Sequence, residues 1–118
     1  DAISAINTFV GLAIDYNSGK IILKTKFGGI SGPAIKPLAL AKVHNIFNKV
    51  SIPIIGMGGI SSYEDIVEFI RIGSAMVQIG TLNYRDPSII TSFNDSLIEF
   101  LDRKNIENIS ELVGNYEQ

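Results

Sequence analysis

Apolar positions along the chain fall into two kinds of run. Ala2–Ile6, Ile52–Met57 and Ala75–Ile79 are short and almost unbroken, the pattern of strands covered on both faces. Between and after them, apolar residues recur at helical spacing. Pro37 opens one such stretch, where a missing N–H costs nothing in the first turn. Leu38, Ala41, Ile46 and Val50, with Leu40, Val43 and Phe47 beside them, give it a broad apolar face through about Lys49. Ser61 with Glu64 reads as a capping box for the next helix, whose inner face is Ile66, Val67, Phe69 and Ile70 and whose end is Gly73. Asp86–Pro87 starts a long final helix with Phe93, Leu97, Phe100 and Leu101 inward, and a last short helix is expected at Ile109–Val113, capped by Asn108 or Ser110. Leu12–Asp15 and Ile21–Lys24 flank Tyr16–Lys20 as a β-hairpin, and Gly28–Pro33 follows as a loop. The order strand, hairpin, helix, strand, helix, strand, helix predicts an α/β fold with parallel strands and helical crossovers.

Length changes how that order is read. At 118 residues the chain is too short for a closed (β/α)8 barrel, which needs roughly 250. The expectation is therefore the C-terminal part of such a barrel, about strands 6–8 with their helices, forming one unit over residues 1–118. A free-standing small α/β domain is the alternative. With 10 basic and 12 acidic residues well mixed and a net charge of −2, nothing favours nucleic acid or an anionic membrane as partner. Cysteine is absent, which removes disulfides, thiolate metal sites and a cysteine nucleophile from this segment. No apolar run is long enough to span a membrane and no signal peptide is visible, so a cytoplasmic location is expected.

Three of the apolar stretches end in glycine-rich turns. Gly58–Gly59 lies between a strand and a helix start, and Gly80–Thr81 ends the next strand. Backbone amides at such turns hold a phosphate by charge-assisted hydrogen bonds, and a glycine keeps Cβ atoms out of the way. Two glycines after a strand also make simple tight turns, but adjacent turns in neighbouring βα units match the phosphate site common in βα barrels. In Gly28–Pro33, glycines with Ser31 let the backbone lie against something flat or bulky. An irregular loop over the barrel mouth is the plainer reading. Asn7–Thr8 ends the first strand on the same face. A side-chain amide offers both donor and acceptor to a planar heterocycle, or simply caps the strand. His44, mid-helix among apolar neighbours, reads as structural. Lys36 is able to reach an anion or merely precedes Pro37 at a helix start, while Asp15, Glu64 and Asp65 read as turn or capping groups. No acid–base pair, triad or metal-ligand cluster is evident.

Taken together, Gly28–Pro37 (GGISGPAIKP), Ile52–Ile60 (IPIIGMGGI), Val77–Thr81 (VQIGT) and the upstream Asn7–Thr8 resemble the C-terminal part of a dihydroorotate dehydrogenase across essentially the whole chain. The serine–glycine–proline loop and the ending Phe100–Gly114 are similar to the class 1B catalytic subunit in particular. The resemblance implies a (β/α)8 barrel carrying FMN, in which Gly58, Gly59, Gly80 and Thr81 bind the flavin phosphate. It implies that Gly32 and Ser31 approach the flavin, that Ile6 contacts it through its backbone, and that Asn7 and Thr8 hydrogen-bond the pyrimidine. The implied reaction, in UMP biosynthesis, oxidises dihydroorotate to orotate by hydride transfer from C6 to flavin N5 while a base removes a C5 proton. Electrons then pass to NAD through a partner subunit with FAD and a 2Fe-2S cluster, in a homodimer or heterotetramer. The family's base is a cysteine, and its flavin lysine comes from an earlier strand. Neither is present, so no catalytic residue is assigned here and the chain alone is expected to be inactive. Alternatives are the pyrimidine-reducing domain of dihydropyrimidine dehydrogenases, a non-catalytic flavin- or phosphate-binding half-barrel, and a barrel acting on a sugar phosphate.

Overall fold

A computed structural model describes residues 1–117. In chain order the elements are β1 (Ile3–Ala5), β2 (Phe9–Gly11), β3 (Gly28–Ile30), α1 (Lys36–Phe47), β4 (Ile54–Met57), α2 (Tyr63–Arg71), β5 (Met76–Gln78), α3 (Thr81–Arg85) and α4 (Ile89–Lys104). Single 3-10 turns lie at Pro33–Ile35 and Ile109–Leu112. The three apolar runs thus become β1, β4 and β5, joined by connections long enough to return the chain in parallel.

β1, β4 and β5 form one parallel sheet in that order, with Ala5 opposite Gly56 and Gly56 opposite Val77. All strands run the same way, so the segments after β1, β4 and β5 emerge at one edge. One sheet face is covered by helices. Its core joins Ala39 and Val43 of α1, Ile54 of β4, Ile66, Val67, Phe69 and Ile70 of α2, Phe93 of α4 and Leu112. Full burial of a side chain such as Phe69 contributes about 1.5–3 kcal/mol. Gly56 makes room for it, since a Cβ there would lie 2.6 Å from Phe69 Cδ1. Ser4, Ile55, Met57, Met76 and Gln78 alternate onto the other face, where Ser4, Met76 and Gln78 are exposed.

Several elements depart from the sequence reading. The hairpin is longer than Leu12–Lys24. Its ladder is β2 against β3, pairing Phe9 with Ile30, and only one bridge, Ile14 to Ile21, lies farther out. Half of the Gly28–Pro33 loop is therefore strand. β5 is not buried on both faces, because helices cover one face of the sheet only and Met76, on the other, is 55% exposed. In α1, Leu38 and Ala41 face solvent, while Ala39 and Val43 turn inward. The helix carries so many apolar residues that its sequence sets no phase. Small Ala39 is chosen by proximity, for a Cβ on Gly58 would lie 2.9 Å from its own. The α2 cap is shifted by one residue to Ser62 with Asp65. The short α3 intervenes before the final helix, and Asn108 caps the last turn. Among the described residues no helix is long and apolar enough to cross a membrane.

Candidate functional site

The sheet edge carrying the strand C-termini opens into a cavity of about 590 Å³, within the range of small-molecule and cofactor sites. Ile6, Asn7 and Thr8 reach it from β1. Ser31 and Gly32 come from the segment after β3, Gly58 and Gly59 from the turn after β4, and Gly80 and Thr81 from the end of β5. These nine residues, the ones to which the resemblance assigns cofactor or substrate contacts, all line this one cavity, whereas Lys36 and His44 do not. Gln78 and Arg85 also line it, and the sequence pattern does not single them out. Arg85 is the only cation among the lining residues. Its signal is spacing: a helix starting at Thr81 returns position 85 to the same face.

The turn after β4 has φ of +124° at Gly58 and +77° at Gly59, conformations that glycine adopts without penalty. Gly59 also packs on the neighbouring segment, where an added Cβ would lie 2.7 Å from Lys36 N and 2.9 Å from Gly32 O. Gly80 differs, with φ of −102° and open space where a Cβ would stand. The N–H groups of Gly58, Gly59 and Gly80 have no protein acceptor among the described residues. These are the free donors that an anion requires.

Behind that turn, Asp65 at the start of α2 is 6% exposed. Its Oδ2 accepts from Ser61 N at 2.7 Å, Ser61 Oγ at 2.9 Å and Ser62 N at 3.1 Å, and its Oδ1 accepts from Lys36 Nζ at 2.6 Å. Burial alone would raise the Asp65 pKa, but the Lys36 and Ser61 hydrogen bonds outweigh it and hold the carboxyl below its ordinary value. Lys36 is raised by its hydrogen bonds to Asp65 and to Glu68, the latter at 2.8 Å. Lys36 is thus committed to two carboxylates, which settles the choice left open by the sequence against direct capture of an anion.

Asn7 Oδ1 accepts from Thr8 N at 2.8 Å, which leaves the Asn7 Nδ2 donors for a ligand. Only half of the donor–acceptor pair expected of this amide is therefore free. The Gly29 backbone lies directly against the Thr8 side chain, leaving no room there for a Cβ. So part of the glycine demand in the first loop comes from Thr8 itself. The Ile6 amide donates to Met57 O at 3.0 Å, and the Ala5–Ile6 peptide is cis. His44 lies off the cavity, with Nε2 2.9 Å from Tyr116 OH and 3.1 Å from Asn48 Nδ2. No cluster of His, Asp or Glu suited to a metal occurs among the described residues. The arrangement offers unpaired backbone amides suited to an anion at one end and side-chain amide donors suited to a polar ligand at the other.

A family model described as dihydroorotate dehydrogenase matches residues 1–101. The catalytic subunit of dihydroorotate dehydrogenase B (NAD(+)) from Caldicellulosiruptor saccharolyticus is 47% identical over 115 residues, covering 98% of this chain and 38% of that protein. The subunit of the same name from Malacoplasma penetrans is 47% identical over 114 residues, covering 97% and 37% respectively. In Parabacteroides distasonis the corresponding subunit is 46% identical over 114 residues, again 97% of this chain and 37% of the relative. The chain thus spans well under half the length of these curated relatives.

Proposed function

The chain belongs to the dihydroorotate dehydrogenase family, and from that premise we propose that it is the C-terminal part of a class 1B catalytic barrel, supplying the flavin-phosphate cradle and part of the pyrimidine site. The observation that carries this reading is the convergence of Asn7, Ser31, Gly32, Gly58, Gly59, Gly80 and their neighbours on one cavity, with unpaired amides at two turns. FMN fits that cavity in kind: glycine turns for the phosphate, and open space at Gly32, where no side chain stands, for a planar ring.

In this proposal the amides of Gly58, Gly59 and Gly80 bind the phosphate, with the Thr81 hydroxyl beside them and Arg85 supplying positive charge. Ile6, Ser31 and Gly32 orient the ring system. When bound, FMN supplies the two-electron acceptor chemistry for oxidation of dihydroorotate to orotate. Asn7 and Thr8 hold the pyrimidine, Asn7 by its free Nδ2 donors. The proton acceptor lies on other parts of the barrel, because this chain has no cysteine. The relatives are named catalytic subunits of an NAD(+) enzyme, which supports a separate electron-accepting subunit; in this proposal that subunit carries FAD and a 2Fe-2S centre.

The full-length enzyme provides the test. Substituting Gly80 with valine places a side chain in space that is open, so the fold should persist while FMN affinity falls. Flavin content after purification and dihydroorotate-dependent NAD reduction are the readouts. Full FMN occupancy in a Gly80→Val protein would remove the phosphate assignment.

A further inference from the structure

We infer that Asp65 and Lys36 are positioning residues that latch the Gly58–Gly59 turn to the Gly32–Lys36 segment, setting the spacing on which phosphate recognition depends. The inference rests on the cavity being the flavin-phosphate site proposed above. The two Asp65 oxygens serve different walls. One takes Ser61 N, Ser61 Oγ and Ser62 N from the turn, and the other takes Lys36 Nζ from the start of α1. Capping α2 requires only the Ser62 amide. The contacts to Ser61 and Lys36 exceed that need.

What the latch holds together is a backbone contact without slack. Gly59 rests on Lys36 N and Gly32 O so closely that a Cβ would come within 2.7 Å and 2.9 Å of them. Ser61 lines the cavity, yet its N–H and hydroxyl both turn back to Asp65. The free donors left on this turn are then the backbone amides of Gly58, Gly59 and Ile60, with no contribution from Ser61. Neither Asp65 nor Lys36 lines the cavity, so both act through the backbone they fix. Glu68, half-exposed, adds a second acceptor for Lys36 at 2.8 Å and keeps the ammonium in place.

The experiment compares two flavins on the apo form of the full-length enzyme, titrated by flavin fluorescence. Lys36→Met keeps the aliphatic stem and leaves the Asp65 bonds to Ser61 and Ser62 in place. It should weaken FMN binding about tenfold, the loss of one charge-assisted tie, and riboflavin binding less than about twofold, since riboflavin lacks the phosphate. Lys36→Arg should restore most of the FMN affinity. Equal weakening of FMN and riboflavin, or unchanged FMN affinity, overturns the latch. If Lys36→Met does not fold, Asp65→Asn is put through the same pair of titrations. Gly80→Val separates the two levels of the argument. If it weakens FMN while Lys36→Met does not, only the latch fails; if neither does, the phosphate site itself is misassigned.

Discussion

Gly59 and Gly80 each follow a strand, but different surroundings require them. Gly59 combines a φ of +77° with backbone neighbours that cannot yield, so even Gly59→Ala forces a shift of the Lys36 segment. Its expected cost is about 1–3 kcal/mol of stability, read as a lowered urea midpoint. That variant therefore confounds folding with binding. Gly80→Val has no such conflict and should leave the urea midpoint nearly unchanged while FMN affinity drops at least about tenfold. Asn7→Ala tests the other end of the cavity. Loss of its donors should leave FMN bound and lower kcat/KM for dihydroorotate by roughly five- to 150-fold, the effect of about 1–3 kcal/mol. Unchanged turnover would remove Asn7 from the substrate site. The sequence identifies these residues by type and place, since glycines at strand ends and a polar pair after β1 are legible in one dimension. It does not reveal that Gly29 is crowded by Thr8, or that half of the Asn7 amide is engaged at home. Those are contacts across the fold.

Helix α2 shows how tertiary contacts choose between local options of nearly equal merit. Ser61–Glu64 and Ser62–Asp65 both satisfy the capping spacing, and glutamate is the commoner partner in such a box. Lys36, reaching over from α1, stabilises a carboxylate at position 65 and so selects the second register. Ser62→Ala should then cost about 1 kcal/mol, against little for a capping role at Ser61, measured by urea unfolding. The burial of β5 on both faces fails for a tertiary reason too: no element among the described residues covers the sheet face on which Met76 and Gln78 lie. The latch also gives a pH dependence whose sign follows from linkage. Asp65 is depressed in the fold, so its stabilisation is present above the unfolded carboxyl pKa of about 4 and is lost as pH falls through the folded value. Lys36 is raised, so its share is complete below about 10.4 and is lost only as pH rises through its folded value. Acid release of FMN should begin below about pH 4, and Asp65→Asn should flatten that limb. Glu64 lies beside the cap with its carboxyl held below its ordinary value by the Ser62 hydroxyl, so a residual slope persists. An unaltered acid profile in Asp65→Asn would exclude the pair as its source.

The molecule as a whole is extended, 58 × 34 × 29 Å, with a radius of gyration of 16.7 Å where a compact domain of this length has about 13–14 Å. Its accessible surface is 8026 Å², roughly a quarter more than a folded monomer of the same mass exposes. Two regions account for much of the excess. The hairpin arm presents Val10, Ile14, Tyr16 and Ile22, and the helix-free sheet face presents Met76 and Gln78 beside the edges of β1 and β5, which are unpaired among the described residues. Short, apolar, unpaired edges invite pairing with other chains. The 118-residue chain expressed alone should therefore bind a hydrophobic dye, elute as oligomer or aggregate, and carry no flavin colour. Joined to the rest of a barrel, the same strands would gain neighbours on both edges and the face bearing Ile55 and Met57 would turn inward. Size-exclusion chromatography with flavin absorbance distinguishes the cases. A stable yellow monomer of the chain alone would mean that the cavity retains FMN through its own walls, and the proposal that this unit completes a larger barrel would fall.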